Sequence, residues 1–292
     1  MNDPLQGALG RVVQADNLSV LAALPDASVD LIYVDPPFNT GKRQTLERMR
    51  TVRDENGDRT GYQGQRYRTV RLGKTGYLDL FDDYLEFLEP RLLHFHRVLR
   101  ATGSLYFHID YREVHYCKIL LDAIFGRECF LNEVIWAYDY GARTNKKWPA
   151  KHDNILVYVK SIDHYYFDAD AVERIPYMAP GLVGPDKVAR GKLPTDTWWH
   201  TIVPPGGKER TGYPNQKPLG ILRRIVSASC PPGGLVADFF AGSGSTGAAS
   251  YELGRKFLMV DDNPDAVAVM AVRYAGYAEV EFGGCRASLA GE

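Results

Sequence analysis

The residues of this chain best suited to chemistry are Asp35, Pro36, Pro37 and Phe38, which follow the apolar run 31–34. A β-branched and aromatic run that stops at two prolines predicts a buried strand with a rigid exit loop. Pro37 has no N–H, and it pushes the residue before it into an extended conformation. The carboxylate of Asp35 and the carbonyl of Pro36 can therefore accept the N–H bonds of an exocyclic amino group, beside an aromatic ring. A purely structural turn is the alternative interpretation.

A glycine-rich turn follows a second predicted strand, 235–240, much later in the chain. Gly242 and Gly244 let the backbone approach a ligand closely and adopt positive φ angles. A further predicted strand, 256–260, ends at Asp261. An acidic residue at such a strand end can accept hydrogen bonds from ribose hydroxyls. The turn and the acid together predict a ligand that contains a ribose.

The same glycines fit a second interpretation, a nicotinamide-dependent oxidoreductase. Gly242, Gly244 and Gly247, with Asp261 nineteen positions after the first of them, match the dinucleotide-binding fingerprint. Only 45 residues follow Gly247, however, which is too few for the rest of a dinucleotide-binding sheet unless the chain is permuted. That interpretation also leaves the residues 35–38 without a use, so it remains the more remote alternative.

The bulk composition is that of a globular protein. The chain has 292 residues, 45% of them apolar and 24% charged, with a formal net charge of −1. The four cysteines are scattered without a Cys-x-x-Cys pair, which favours reduced intracellular thiols and no zinc site. No signal peptide and no run of about 18 apolar residues is evident, so we expect a cytoplasmic protein, associated with the nucleoid when bound to DNA.

Alternating strands and helices predict an α/β fold around these motifs. Asp16 and Asp110 join Asp35 and Asp261 at the ends of predicted strands, and ligands of open α/β sheets bind at that edge. The strand over 154–159 is expected to pair with its predecessor as an antiparallel edge. The predicted strands are 11–16, 30–34, 104–109, 133–138, 154–159, 235–240, 256–260 and 279–282, and the helices are 18–24, 81–100, 114–125, 219–229, one that begins within 241–250, and 263–274.

Three segments lack such periodicity. Between Gly41 and Gly76, ten Lys and Arg stand against four Asp and Glu, which predicts either a solvated insertion or a basic lid over a polyanion. The polar segment 139–150 and the irregular segment 161–201 also interleave basic with aromatic residues. We expect contacts to nucleic acid in these segments, with five basic candidates: Lys42, Arg43, Arg143, Lys146 and Lys147.

The residues 35–38, joined with Phe240-x-Gly242-x-Gly244, resemble the amino-methyltransferases that methylate adenine N6 or cytosine N4 in DNA. The segments 16–41, 132–160, 215–218 and 236–264 resemble the corresponding parts of that family. The order of the motifs, catalytic first and cofactor last, resembles its circularly permuted β class. The resemblance implies a Rossmann-like methyltransferase fold, with a mostly parallel twisted sheet between helices and a small variable target-recognition region.

The resemblance also implies S-adenosylmethionine as the cofactor, S-adenosylhomocysteine as its product, and roles for particular residues. Asp16 would lie near the adenine of the cofactor, Asp261 would hold the ribose, and Lys217 could neutralise the carboxylate. Asp35, Pro36, Pro37 and Phe38 would be catalytic, with Phe38 stacked on the target base. The remaining expected cofactor-binding residues are Asp35, Pro218, Asp238, Phe240, Gly242, Gly244, Ser245 and Thr246.

These expectations divide the chain into a first catalytic part, 1–160, a variable region that reads DNA sequence, 161–201, and a cofactor-binding part, 202–292. The expected substrate is double-stranded DNA with an extruded base, because the reacting amine is inaccessible inside a duplex. Asp35 favours adenine N6, and cytosine N4 is the alternative. An RNA or protein substrate and a non-catalytic DNA-binding module also remain open, as do a homodimer and a cognate restriction endonuclease.

Overall fold

The computed structural model describes residues 4–5, 7–39, 42–53, 59–60, 66–79, 84–139, 141 and 143–284, and within 42–79 it describes the backbone alone. The strands are β1 (Gly10–Gln14), β2 (Val29–Val34), β3 (Lys42–Arg53), β4 (Arg59–Thr60), β5 (Arg66–Asp79), β6 (Leu99–Ile109), β7 (Phe130–Ala137), β8 (His152–Val159), β9 (Thr197–Trp199), β10 (Leu235–Asp238), β11 (Lys256–Asp261) and β12 (Val280–Gly284). The helices are α1 (Asn17–Ala23), α2 (Tyr84–Val98), α3 (Val114–Phe125), α4 (Pro185–Arg190), α5 (Leu219–Ser229), α6 (Ser245–Glu252) and α7 (Pro264–Arg273).

Nine of these strands form one sheet in the order β12-β1-β11-β10-β2-β6-β8-β7-β9. All pairs from β12 to β6 are parallel. β8 is antiparallel to both β6 and β7, while β9 runs parallel to β7. The mostly parallel α/β fold predicted from the sequence is therefore confirmed. Because β1, β11, β10 and β2 are four consecutive parallel strands of the sheet, their carboxyl ends share one edge.

Helices cover both faces of this sheet, because alternate side chains of each strand point to opposite sides. In β2, Ile32 and Val34 pack into the cluster formed with α1, α2 and α3, while Leu31 and Tyr33 pack into the cluster formed with α5. The continuous apolar run at 31–34 is thus explained by burial on both faces. A smaller cluster joins β11 to α6 and α7. Together these layers hold the exit loops of the strands in place.

Two expectations about strands were wrong. The segment 41–76, expected to be a loop, contains β3 and β5, which pair antiparallel and carry the short β4 at the edge of β5. This pairing is made by the backbone, and the sequence shows none of the apolar alternation that marks a half-buried strand. The side chains of the segment lie outside the described residues, so its role as a basic lid stays a prediction. The second wrong expectation concerns β8, which pairs antiparallel with β7 as expected but does not lie at the edge of the sheet. β8 lies between β6 and β7, and β9 forms the edge at that end.

No helix in the described part of the chain is long and apolar enough to span a bilayer. Cys117, Cys129 and Cys230 are buried free thiols, and Cys285 lies outside the described residues. Between β8 and α5 the described chain is mostly irregular. Its regular elements are α4, β9 and a single turn of 3-10 helix at Pro180–Leu182. The division of the chain at 161 and 201 remains a prediction.

Candidate active site

A cavity of about 410 Å³ opens at the carboxyl ends of β1, β2, β10 and β11. The structure brings together here the two motifs that the sequence separates by about two hundred positions. Ten of the residues expected at the site line this cavity: Asp16, Asp35, Pro37, Lys217, Asp238, Phe240, Gly242, Ser245, Thr246 and Asp261.

The glycine-rich turn is shaped by its two left-handed residues. Gly242 has a φ of 51°, and its N–H donates to Oδ2 of Asp261 over 2.7 Å. Gly244 has a φ of 72° and precedes α6, but it is buried and does not line the cavity. A Cβ atom at Gly244 would overlap the hydroxyl of Tyr274. Gly242 therefore shapes the cavity, whereas Gly244 allows close packing behind it.

Two carboxyl groups, the buried Asp238 and the half-buried Asp261, face this cavity beside the turn. Asp238 accepts hydrogen bonds from Phe240 N at 3.0 Å and Thr246 Oγ1 at 2.6 Å. Burial raises the pKa of Asp238 to about 7, with smaller contributions from the charges of Asp35 and Asp261. Burial likewise raises the pKa of Asp261 to about 6, against the hydrogen bonds that it accepts from the backbone. The concentration of acidic groups suits a ligand with a positive charge.

The opposite end of the cavity is built around Arg91, which the sequence analysis did not identify. Its Nε donates to Asn17 Oδ1 over 2.7 Å, and its Nη2 lies 3.3 Å from Asp16 Oδ2. The guanidinium also lies 3.8 Å from the centre of the Phe87 ring. Asp16 caps α1 through Leu18 N, at 3.0 Å. Its carboxylate is therefore fixed by a cap and a cation, at the mouth of a partly aromatic recess.

Asp35 lines this cavity, and its partner Lys217 lines both this cavity and a second one. Its Oδ2 forms an ion pair with Nζ of Lys217, which is itself buried. Its Oδ1 is buried and has no hydrogen-bond partner among the described atoms. An unpartnered carboxylate oxygen in such a position is costly unless a donor reaches it, so it marks a place where a ligand N–H can bind.

The second cavity, of about 420 Å³, has the ring of Phe38 in its wall together with Trp136, Tyr138 and Asp153. It shares the segment 213–217 with the first cavity, so Lys217 lines both. The ammonium of Lys217 lies 5.3 Å from the centre of the Phe38 ring. The two cavities are thus adjacent, with the Asp35–Lys217 pair near the wall that separates them.

A buried histidine adjoins both Asp35 and Phe38. His108 lies on β6. Its Nδ1 forms a hydrogen bond of 2.8 Å with the hydroxyl of Tyr33, and its Nε2 lies 3.3 Å from Asp153 Oδ2. Its side chain is fully buried, and its ring centre is 5.8 Å from that of Phe38. The sequence analysis placed a strand here and gave its histidine no role. An ionisable residue in a predicted strand that is otherwise mostly apolar was the signal available.

Other expected site residues lie elsewhere. Pro36 is buried outside both cavities, and Pro218 precedes the first turn of α5. Neither Pro218 nor Gly244 therefore lines the cavity predicted to hold a cofactor. Of the basic residues expected to contact nucleic acid, Arg143, Lys146 and Lys147 are exposed on the segment between β7 and β8. Lys42 and Arg43 lie on β3, with their side chains outside the described residues.

The comparisons with known proteins agree with this arrangement. Residues 29–272 match the N6/N4 family described as DNA methylase. The chain is 29% identical over 264 residues to the DNA adenine methyltransferase YhdJ of Escherichia coli, covering 88% of this chain and 79% of that protein. It is 25% identical over 286 residues to the type II methyltransferase M.ScaI of Streptomyces caespitosus, covering 91% and 82%.

Solved structures share the fold at low sequence identity. The cytosine-N4-specific PvuII DNA methyltransferase has a TM-score of 0.62 and 14% identity, covering 93% of this chain and 88% of that one. The M1.HpyAVI complex with SAM has a TM-score of 0.58 and 18% identity, covering 90% and 98%. The nine-stranded sheet is therefore that of a Rossmann-like methyltransferase.

Proposed function

The chain belongs to the N6/N4 DNA methylase family, and we propose that it transfers a methyl group from S-adenosylmethionine to the exocyclic amine of an extruded base in double-stranded DNA, with adenine N6 as the favoured target. The observation that carries this proposal is the position of Asp35. Its buried, unpartnered Oδ1 belongs to a residue that lines a cavity with several acidic groups, and its partner Lys217 also lines the neighbouring cavity with an aromatic wall.

The first cavity supplies the groups that a sulfonium nucleoside needs. Asp261 would accept hydrogen bonds from the ribose hydroxyls, and Asp16, held by Arg91, would accept from the adenine amino group. Asp238 would face the positively charged part of the cofactor. Lys217 has three donors, so it can keep its contact with Asp35 and also bind a ligand carboxylate.

The second cavity would receive the target base. A base inside a duplex is inaccessible, and enzymes that modify it swing the nucleotide out and stack it on an aromatic or apolar surface. The ring of Phe38 offers such a surface beside Asp35. The exposed residues Arg143, Lys146 and Lys147 would bind the phosphates near this cavity, with an affinity that falls as salt is added. Region 161–201 would read the sequence around the base.

The protein groups act by orienting and polarising the amine. Its lone pair is delocalised into the ring, and a hydrogen bond to Asp35 Oδ1 would favour a pyramidal nitrogen with a localised lone pair. The carbonyl of Pro36, a residue that follows Asp35 but lines neither cavity, is the second acceptor expected from the sequence. When bound, S-adenosylmethionine supplies the methyl group, and its carbon–sulfur bond breaks with the electron pair remaining on sulfur as the nitrogen bonds to carbon. Lys217 holds the second oxygen of Asp35, which fixes the direction of the first. Such positioning and electrostatics supply most of the rate.

The identity of the base is the finer part of the proposal. An aspartate at position 35 favours adenine N6 through the family resemblance, and one relative is a DNA adenine methyltransferase. A shared fold with a cytosine-N4-specific enzyme keeps cytosine N4 as the alternative. Both bases present an exocyclic amine that Asp35 and Pro36 can accept from, so the mechanism is common to the two.

The proposal is tested by incubating purified protein with duplex DNA and labelled S-adenosylmethionine, then digesting the DNA and separating its nucleosides by mass spectrometry. We expect N6-methyladenine, formed at least about 100-fold more slowly by Asp35→Ala. N4-methylcytosine would keep the chemistry and overturn the choice of base. Absence of any methylated nucleoside across DNA of diverse sequence, with a folded protein, would overturn the function itself.

A further inference from the structure

His108 has a carboxylate on each side although it is fully buried. Its Nε2 lies 3.3 Å from Asp153 Oδ2, and its Nδ1 lies 3.9 Å from Asp35 Oδ1, the oxygen without a hydrogen-bond partner. The rings of His108 and Trp136 make an edge-to-face contact, with their centres 5.6 Å apart. A fully buried imidazole between two acidic groups is well placed to take up a proton, because the resulting charge is paired at once.

The neighbours of His108 define where its proton lies. Burial, aided by the charge of Asp35, raises the pKa of Tyr33 well above its ordinary value, so the hydroxyl keeps its proton and donates it to Nδ1. Burial alone would raise the pKa of Asp153, but the hydrogen bond from His108, the charge of Lys217 and the hydrogen bond from Tyr138 lower it on balance. Asp153 is therefore a carboxylate that accepts from Nε2–H, and Nδ1 is the acceptor on the side of Asp35.

We propose that His108 receives, through Asp35, the proton that leaves the target nitrogen during methyl transfer, and that Asp153 stabilises the imidazolium so formed. The inference rests on the proposed function, because it concerns the same reaction. As the nitrogen bonds to carbon it becomes positively charged. Its N–H bond then breaks, the electron pair stays on nitrogen, and the proton passes to Asp35 Oδ1.

The Tyr33 hydroxyl first turns its proton away from Nδ1 of His108, because that nitrogen has a single lone pair. The proton then moves from Asp35 Oδ1 to Nδ1, which restores the carboxylate. A hydrogen bond between these atoms needs a separation of about 2.8 Å, so the side chains must approach by about 1 Å. The ammonium of Lys217 on the other oxygen favours the charged carboxylate and so drives the proton onward. The imidazolium returns the proton to water when the product leaves, so no further reactant is required.

The charged and titratable groups around His108 come from four elements. Asp35 and Tyr33 face it from β2 and its exit, and Asp153 faces it from β8. Tyr138, at the end of β7, donates to Asp153 Oδ1 over 3.1 Å. Lys217 acts on both carboxylates from the segment before α5. His108 is thus a positioning and proton-accepting residue that acts through Asp35.

The first test is the pH dependence of single-turnover methylation with saturating enzyme. We expect His108→Gln, which can still donate to Asp153, to lower the rate constant by about 100-fold or more. Asp153→Asn keeps an acceptor but removes the charge that would stabilise the protonated ring, so the rate constant should fall by about tenfold. His115→Gln, an exposed histidine on α3, is the matched control and should leave rate and profile unchanged.

The second test needs no turnover. ¹⁵N NMR of histidine-labelled protein, assigned with His108→Gln, should show the neutral ring protonated at Nε2, with a proton shifted downfield by its bond to Asp153. Asp153→Asn should remove that downfield shift. Wild-type rate and pH profile in His108→Gln, or a wild-type rate in Asp153→Asn, would overturn the relay. Failure of wild-type protein to methylate DNA would instead overturn the proposed function, and calorimetric binding of the cofactor separates either result from misfolding.

Discussion

Lowering the pH from about 7.5 to about 6 should weaken binding of S-adenosylmethionine, because Asp238 becomes protonated in the cavity that faces the cation. Burial raises the pKa of this carboxyl to about 7. Before binding, it is then ionised in about three quarters of the molecules at the higher pH and in about a tenth at the lower. If only the ionised form pairs with the ligand, the dissociation constant rises about eightfold, or about 1.2 kcal/mol.

The sign of this effect follows from the direction of the shift. A carboxyl whose pKa is raised is neutral below that value, so the attraction for a cation is lost as the pH falls through about 7. Asp261, with a pKa raised to about 6, adds about a twofold loss at the acid end. The α-amino group of the cofactor keeps its proton through most of this range, because its ordinary pKa is about 7.7 to 8.0.

The assay is isothermal titration calorimetry at three pH values, each in two buffers of different ionisation enthalpy, which also counts the protons released on binding. Asp238→Asn is the control, because an amide can keep both hydrogen bonds, to Phe240 N and to Thr246, without the charge. We expect the variant to bind more weakly at about pH 7.5 and to retain only the smaller dependence due to Asp261. An affinity that does not change between these pH values in the wild type, or an equal slope in Asp238→Asn, would refute the reasoning.

Three further predictions concern single residues. Asp35→Ala should lower the methylation rate constant by about 100-fold or more while calorimetry shows the cofactor affinity largely retained, because the orienting acceptor is lost; full activity would remove its proposed role. Phe38→Ala should make extrusion of the target base less favourable by about 1 to 3 kcal/mol, because the base loses its stacking on the ring. Fluorescence of 2-aminopurine at the target position measures the extruded fraction, and an unchanged signal would contradict this. Gly244→Ala should lower the free energy of unfolding in urea by about 2 to 4 kcal/mol, because the left-handed backbone is strained and the methyl meets the Tyr274 hydroxyl; a neutral result would contradict that packing.

The meeting of the two motifs could be predicted from the sequence because it depends on a general property of parallel sheets. Runs such as 31–34 and 235–237 are apolar on both faces, which identifies them as interior parallel strands. The carboxyl ends of such strands share one edge. Because β2 and β10 are neighbours in the sheet, Asp35 and Gly242 line the same cavity. The positions of Asp16 and Asp261 at this cavity follow from the same rule.

The missed residues depend on contacts that leave no local pattern. Arg91 lies within an amphipathic helix, and its partner Asn17 is 74 positions away, so only the packing of α2 on α1 makes it part of the site. From the sequence, His108 is one position of a buried strand. Its contact with Asp153, which is 45 positions away, exists only because β8 pairs with β6. The misplacement of Gly244 has a different cause, because two glycines in one turn look equivalent in sequence. Only the position of Tyr274 on the following helix separates a glycine that borders the ligand cavity from one that permits packing.

The segment 213–217 sets the position of the two cavities relative to each other, because it forms part of the wall of both. Gln216 fixes it to the preceding chain, accepting from Thr211 N at 2.8 Å and donating to Glu209 O at 2.7 Å. At one end Tyr213 lies against Gly242, with its ring 3.2 Å from where a Cβ would stand. At the other end Lys217 holds Asp35. A methyl donor and an amine must meet at close contact, and this anchored wall contacts the loops that would hold each. The distance between the two reactants would therefore be set by the folded chain before either binds, which is the condition under which positioning contributes to rate.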